Sequence, residues 1–243
     1  PRAAHSAGPD EPPAAPKVLP GEADWHAARD AYWANRPGIA SPPDVESVAK
    51  SLIAVVESPV AAASLRRDAA HLLGRLEAAA GRWEDAAKAY RTALELGQKD
   101  APSHLLDLLR FGLAQALCAS GDKSEEPLAL LAAVDDSPWS PVRADAAYLR
   151  ARHLEVLGRT DDAKKAYKSV LERWPEALFA LELKVRLGAR DMARGTDPAR
   201  VEKLLRAVAF ESPRSDAGRK AELLLASLTN GTAKVETPRV PLA

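Results

Sequence analysis

The chain has 243 residues, of which 47% are hydrophobic, enough to bury a substantial core. Its 34 Lys and Arg residues balance its 34 Asp and Glu residues, so no long-range field gathers nucleic acid or an anionic membrane. Ala, Leu, Glu, Arg and Lys dominate the composition, which predicts an all-α fold. No run of 18 apolar residues occurs, so no membrane span is predicted.

Residues 1–21 are rich in Pro and Ala and are predicted to form a disordered tether. Such a tether is typical of the segment after a removed targeting sequence or of an artificial chain start. It suggests a periplasmic or otherwise exported protein. Residues 22–58 then contain two helical stretches separated by a Pro- and Gly-rich connection, and they are predicted to be N-terminal capping helices.

A repeat occupies residues 59–229. The stretch AVVESP at 54–59 returns as AVDDSP at 133–138 and as AVAFESP at 207–213. Between these boundaries, turn glycines recur every 37 to 40 residues at Gly81, Gly121, Gly158 and Gly195. Each glycine is predicted to end a helix in the left-handed conformation, and each Ser-Pro to stop one helix and start the next. Each unit is therefore a helical hairpin, about eleven helices are expected, and 230–243 is a tail or linker.

Side-chain size repeats within the hairpins. A small residue stands seven positions before each turn glycine: Gly74, Ala114, Ala151 and Gly188. A large residue stands nine positions after it, at Tyr90, Leu130, Tyr167 and Leu204, and a smaller one twelve positions after it, at Ala93, Ala133, Val170 and Ala207. These positions are predicted to pack as knobs and holes.

These units resemble the tetratricopeptide repeat family. Ala86 with Tyr90, and Ala163 with Tyr167, match its second-helix pattern, whereas Glu126 and Arg200 stand in the alanine's place in the other two units. The resemblance implies a right-handed α-solenoid of stacked antiparallel hairpins with a concave groove lined by the first helix of each. The implied groove residues are Asp68, His71, Arg75, Phe111, Gln115, Asp145, Tyr148, Arg152, Glu182 and Val185. They suit a protein or peptide partner, although the same face could be solvated surface.

Glu57-Ser58 matches the Glu-Ser dipeptide that contains the catalytic acid in cell-wall lytic transglycosylases. That family surrounds its acid with a downstream Gly-Leu-Met-Gln stretch, which the sequence lacks. Both Glu57 and its repeat counterpart Glu211 stand at predicted helix boundaries, so helix punctuation is favoured over catalysis. No catalytic residue is predicted.

The sequence offers few other candidates for a reactive or metal-binding site. Cys118, the single cysteine, lies in the apolar stretch FGLAQALCAS and is predicted to be a buried hydrophobe. The five histidines have no spacing suited to zinc, and no nucleotide-binding or hydrolase motif occurs, so neither a metal site nor a cofactor is predicted.

The sequence therefore predicts a non-catalytic scaffold for protein–protein interaction in the bacterial cell envelope. The alternative function rests on a resemblance in style to the helical region that precedes the catalytic domain of soluble lytic transglycosylases. In that case the chain would position peptidoglycan strands. A third possibility, with the same fold and groove, is an envelope assembly factor that docks on other secreted proteins.

Overall fold

The computed structural model describes residues 18–35, 44–195 and 197–229. These residues form α-helices and connecting turns, without a strand. The helices are α1 Glu22–Ala34, α2 Val45–Glu57, α3 Ala63–Ala79, α4 Trp83–Gly97, α5 Ser103–Ser120, α6 Glu126–Asp136, α7 Arg143–Val156, α8 Thr160–Arg173, α9 Ala180–Ala193, α10 Pro198–Glu211 and α11 Asp216–Thr229. The all-α prediction and the predicted helix number are confirmed.

The helices form two layers. Every helix contacts the next along the chain, and α3, α5, α7 and α9 each begin a hairpin that the following helix completes. The backbones of odd-numbered helices also approach one another in the pairs α1–α3, α3–α5, α5–α7 and α9–α11. Even-numbered helices of the described chain lie further apart and are bridged by long side chains, as in the ion pairs Arg91–Glu126 between α4 and α6 and Arg173–Asp135 between α6 and α8. Closer approach on one side is what curvature of a solenoid produces, so the odd helices lie on the inner side of the curve.

The four turn glycines adopt the predicted left-handed conformation, with φ of 74°, 84°, 75° and 66° at Gly81, Gly121, Gly158 and Gly195. The residue after the glycine donates a backbone hydrogen bond five residues back in three of the turns, for example from Asp122 to Leu117 at 3.0 Å. This bond satisfies a carbonyl that the helix end leaves open. The glycine spacing therefore sets where each odd helix ends.

The prediction that Ser-Pro starts a helix is wrong at the first repeat boundary. α2 ends at Glu57, Ser58 follows it in extended backbone, and α3 begins only at Ala63. The Ser-Pro pair stops the helix as predicted, but the turn from an even to an odd helix needs several linker residues, and the proline lies there. Pro175 and the serines Ser137 and Ser212 likewise lie between helices. Among the prolines that recur every 36 to 43 residues, only Pro102 directly precedes a helix; the set is Pro59, Pro102, Pro138, Pro175 and Pro213.

The packing positions predicted for α6 and α10 are wrong by one residue. Pro127 and Val201 are buried where the repeat pattern placed Glu126 and Arg200. Both helices carry a proline in their first turn, a position that proline favours, and both start later after their glycine than α4 and α8 do. The fully buried side chains are consequently Leu131, Val134, Leu205 and Val208, rather than Leu130, Ala133, Leu204 and Ala207.

Tyr90 shows why small residues recur. Its ring lies between α3 and α5, where a Cβ added to Gly74 would come within 2.9 Å of the ring and one added to Gly112 within 2.7 Å. The other predicted small positions, Ala114, Ala151 and Gly188, are also buried. The predicted close approach of neighbouring helices is confirmed.

The ends of the chain fall largely outside this description. Residues 1–17 of the predicted tether and the tail 230–243 lie outside the described residues. At the end of the tether, the Pro20 carbonyl accepts a hydrogen bond from the Ala62 amide at 3.1 Å. A search of the described helices for a segment long and apolar enough to cross a membrane finds none.

Candidate binding groove on the odd-helix face

The predicted groove residues lie on odd helices at helical spacing. Asp68, His71 and Arg75 follow one another on α3 at intervals that keep them on one side of the helix. Asp145, Tyr148 and Arg152 repeat the same intervals on α7, and Phe111 and Gln115 lie between them on α5. We call the surface formed by these eight residues the odd-helix face; all eight are exposed or half-buried.

At the α3 end, Arg75 is held by an aromatic ring rather than by a carboxylate. Its guanidinium carbon lies 6.0 Å from the centroid of the Tyr32 ring of α1, within cation–π range. Arg75 makes no ion pair with any described residue. Asp68, by contrast, is paired at 2.8 Å with Arg67.

His71 lies beside Arg75 and remains neutral at neutral pH. Its ring centroid is 6.2 Å from that of Tyr90. Burial, and then the charge of Arg75, lower the pKa of His71 to about 4, although Asp68 acts in the opposite direction. The imidazole therefore adds an uncharged aromatic surface to this end of the face.

In the middle of the face, Phe111 is half-buried and packs on a core cluster shared by α5, α6 and α7. Gln115, one turn further along α5, is exposed. Cys118 lies deeper in the same helix, and burial raises the pKa of its thiol to about 12. The prediction that Cys118 is buried is confirmed.

At the α7 end, Tyr148 stacks on Phe179, with ring centroids 4.5 Å apart and planes 6° from parallel. Arg152 lies against the same tyrosine, with its guanidinium carbon 5.9 Å from the Tyr148 centroid. Arg152, like Arg75, has no ion-pair partner among the described residues. Asp145 is also unpaired in the described chain, and partial burial raises the pKa of its carboxyl.

The junction from α7 and α8 to α9 combines polar bonds with a buried apolar cluster that includes Tyr167, Leu183 and Leu187. Glu155 accepts hydrogen bonds from the Tyr167 hydroxyl at 3.0 Å and from Arg186 at 2.8 Å. Arg190 donates to the Thr160 carbonyl at 2.7 Å. This junction has few backbone approaches compared with the other hairpin boundaries, so these bonds help to hold α9 in place.

Two further predictions concern α9. Glu182 is half-buried near Tyr148 and extends the face. The placement of Val185 in the groove is wrong, because its side chain is buried among Ala189, Val201 and Leu205. Val185 corresponds by count to Tyr148 on α7, but on α9 this position packs against α10 and α11.

Sequence reasoning missed Tyr32 and Phe179, the rings that complete the two Arg–aromatic assemblies. Tyr32 lies on α1 and Phe179 just before α9, so neither occupies a position that the repeat pattern assigns to the groove. A search for aromatic residues on the linkers and on α1 would have found them.

Catalytic and metal chemistry have little support in this arrangement. Glu57 is exposed at the last residue of α2. In the described part of the chain, no group of three or more His, Cys, Asp or Glu side chains could hold a metal ion.

The fold is that of a helical-repeat protein similar to tetratricopeptide repeat (TPR) proteins. A family model described as tetratricopeptide repeat matches residues 71–141, 128–177 and 148–190, which together run from α3 to α9. No curated protein matches the sequence.

The solved structures similar to this chain include two forms of the nearly identical TPR-like repeats of a candidate kinesin light chain from Podosopora anserina. The form that carries a point substitution has a TM-score of 0.52 and 17% identity, over 87% of this chain and 97% of that chain. The other form has a TM-score of 0.49 and 17% identity, over 88% and 97%. At this identity the substituted form supports the fold alone.

Proposed function

We propose that the protein is a non-catalytic scaffold whose odd-helix face binds a segment of a partner protein. The observation that carries the proposal is a pair of arginines, Arg75 and Arg152, which lie on two different hairpins. Each guanidinium lies near an aromatic ring, and neither arginine forms an ion pair in the described chain. A guanidinium without a carboxylate partner can bind one from another molecule.

The side chains of the odd-helix face indicate which side chains the partner segment would carry. Its acidic side chains would pair with Arg75 and Arg152, and its apolar side chains would contact the rings of Phe111 and Tyr148. The carboxylates of Asp145 and Glu182 lie near the first turns of their helices, whereas the arginines lie toward the helix ends. Negative charges near a helix start and positive charges near a helix end also interact favourably with the helix dipole. Variants with reversed charge must therefore be checked for loss of stability.

The test is an affinity capture from native lysate of the source organism. The bait is the full chain, either unchanged or carrying Arg75→Glu and Arg152→Glu together. The matched control carries Lys168→Glu and Arg200→Glu, which make the same charge change at exposed positions on α8 and α10. Circular dichroism melting confirms that all three baits are folded.

We expect a partner that the unchanged chain and the control capture and that the Arg75/Arg152 variant loses at least tenfold. Identical partner lists for all three folded baits would contradict the proposal.

The cell-envelope location and the scaffold role beside a lytic transglycosylase domain rest on the sequence resemblance. The style of the repeats supports both, because it resembles that of bacterial cell-envelope repeat proteins. Co-sedimentation of the chain with purified peptidoglycan tests the glycan role: binding at physiological salt would support it, and recovery only in the supernatant would contradict it.

A further inference from the structure

The proline linkers after α6, α8 and α10 form the same tight turn. In each, the amide of the residue two positions after the proline donates to the carbonyl of the residue before it: Ser140 to Ser137 at 3.2 Å, Ala177 to Trp174 at 3.2 Å, and Ser215 to Ser212 at 3.1 Å. Each is a β-turn with proline at its second position, where the fixed φ of proline is favourable. The residue at the third position therefore stands at the tip of an ordered turn: Trp139, Glu176 and Arg214.

Two of these linkers carry a large apolar side chain into solvent. Trp139 is 84% exposed at the tip of the α6–α7 turn. In the α8–α9 linker, a second turn is closed by the Ala180 amide on the Ala177 carbonyl at 2.8 Å, and Leu178 within it is fully exposed. A single exposed apolar residue is common on protein surfaces and needs no explanation. These two, however, stand on ordered turns of neighbouring linkers, so they form a pair.

The ends of α6 and α8 are tied together beneath the two turns. Arg173, the last residue of α8, donates to the Asp135 carboxylate near the end of α6 at 2.9 Å. The Asp135 carbonyl accepts from Arg143, the first residue of α7, at 2.9 Å. The two linkers therefore form one edge of the solenoid. We call the following five exposed residues of this edge the proline-turn surface: Asp136, Trp139, Glu172, Glu176 and Leu178.

The carboxylates of the proline-turn surface are uncompensated. Asp136, Glu172 and Glu176 form no ion pair with any residue of the described chain. The two arginines of this edge are already bound to Asp135, and Lys168, one turn before Glu172 on α8, forms no ion pair with it. The surface thus consists of two exposed apolar side chains with carboxylates on both linkers, and its net charge is negative.

The charge of this surface decides between three possible occupants. An anionic phospholipid surface would be repelled by the carboxylates. A second copy in a symmetric contact would place its own three carboxylates against the same three. A cationic amphipathic helix, by contrast, has an apolar stripe with positive side chains on either side, which complements the apolar pair and the carboxylates of both linkers.

We propose that the proline-turn surface binds a cationic amphipathic helix of a partner protein. Trp139 and Leu178 contact the apolar stripe of that helix, and the carboxylates of Asp136, Glu172 and Glu176 pair with its lysines or arginines. The surface shares no residue with the odd-helix face, and the proposal does not depend on the function proposed for that face.

The test is a titration of the full chain with an N-acetylated, amidated peptide in which the heptad Lys-Leu-Ala-Lys-Lys-Leu-Ala occurs twice. One comparison peptide has Glu in place of every Lys, and another has Ser in place of every Leu. Fluorescence anisotropy of a dansyl label on the peptide measures affinity. The NMR signal of the Trp139 indole N–H, which the variant Trp139→Phe assigns, locates the bound peptide.

Two variants of the surface are compared with two matched controls, and all the substituted residues are exposed. The apolar variant carries Trp139→Ser and Leu178→Ser, and its control carries Val60→Ser and Phe210→Ser. The charge variant carries Asp136→Asn, Glu172→Gln and Glu176→Gln, and its control carries Asp24→Asn, Glu84→Gln and Glu95→Gln.

We expect the Lys/Leu peptide to bind saturably and to shift the Trp139 signal, and both comparison peptides to bind at least about tenfold more weakly. The apolar variant and the charge variant should each weaken binding of the Lys/Leu peptide about tenfold or more, and each control by less than about twofold.

The proposal would be overturned if the Lys/Leu peptide failed to bind saturably at millimolar concentration, left the Trp139 signal unshifted, or bound both surface variants as tightly as the unchanged chain. Co-sedimentation with phosphatidylcholine or phosphatidylglycerol vesicles that the apolar variant loses would assign the surface to a membrane instead. A dimer in sedimentation velocity that the same variant loses would assign it to a second copy. Either result would also contradict the proposal.

Discussion

The packing of Tyr90 between two glycines yields a prediction whose sign is decided by two opposing effects. An exposed Gly→Ala change inside a helix stabilises by about 1 kcal/mol, because glycine is the poorer helix former. In Gly112→Ala, however, the new Cβ would lie 2.7 Å from two Tyr90 ring atoms, closer than real Cβ contacts allow.

The ring cannot move away easily, because Gly74 borders it on the other side at a similar distance. Overpacking of this kind typically costs about 1–3 kcal/mol, and the blocked escape favours the upper part of that range. We therefore expect Gly112→Ala to destabilise the protein by about 1–2 kcal/mol net, or roughly 2–8 °C in melting temperature at the typical 2–4 °C per kcal/mol for a chain of this size.

The assay is urea unfolding followed by circular dichroism, for Gly112→Ala alone and in a Tyr90→Leu background. Removing the ring should remove the clash, so the same substitution should become neutral or stabilising there, with a coupling energy of at least about 1 kcal/mol. Gly188→Ala is the control: its nearest contact is the terminal Cδ2 of Leu205, which can rotate. A Gly112→Ala variant that is as stable as the wild type would show that the ring is not confined.

Three further predictions concern single sites. Gly158→Ala should cost about 1–2 kcal/mol, because φ is 75° there and no atom lies near enough to a new Cβ to add a clash. Ser58→Ala should change stability by no more than about 0.5 kcal/mol, because Ser58 follows a helix instead of capping its start. Asp44→Ala, by contrast, should cost about 1 kcal/mol, because the Asp44 side chain accepts a hydrogen bond from the Ser47 amide at 3.0 Å. His71→Gln should reduce the loss of stability on acidification: the folded-state pKa of His71 is about 4 against 6.5 unfolded, so the unfolded chain binds more protons in this window and the wild type loses roughly 2–3 kcal/mol as pH falls through it.

Thermal and urea unfolding measure each of these changes. A Gly158→Ala variant as stable as the wild type would show that the turn tolerates another conformation. Ser58→Ala costing more than Asp44→Ala would restore the helix-start interpretation. Parallel pH profiles for His71→Gln and the wild type between pH 6.5 and 4 would show that the imidazole is solvated.

The hairpin repeat could be predicted because its most informative residues have few alternatives. A positive φ at a helix end favours glycine strongly, so Gly81 and its counterparts located the turns. The intervals on α3 and α7 likewise placed Arg75 and Arg152 on one side of their helices. Local backbone chemistry was sufficient for both inferences.

Positions that depend on linker geometry could not be predicted in the same way. Proline fits both a helix start and an extended linker, so the sequence could not show that Pro59 lies in a linker. The prolines within the first turns of α6 and α10 shifted the packing by one residue, and the packing of α9 against α10 and α11 turned Val185 into the core. The stacking of Phe179 on Tyr148 brings together residues 31 positions apart, which requires the tertiary structure.

Site-specific photo-crosslinking is the direct test of whether the odd-helix face binds a partner protein. A photoreactive phenylalanine analogue replaces Gln115, which is exposed on α5 between the two arginines, or Arg200, which is exposed on α10. We predict that, in native lysate, a discrete crosslinked species forms from position 115, is absent from position 200, and disappears when Arg75→Glu and Arg152→Glu are added. Equal crosslinking at both positions, or a species at position 115 that survives the charge reversal, would show that the partner does not bind this face through the two arginines.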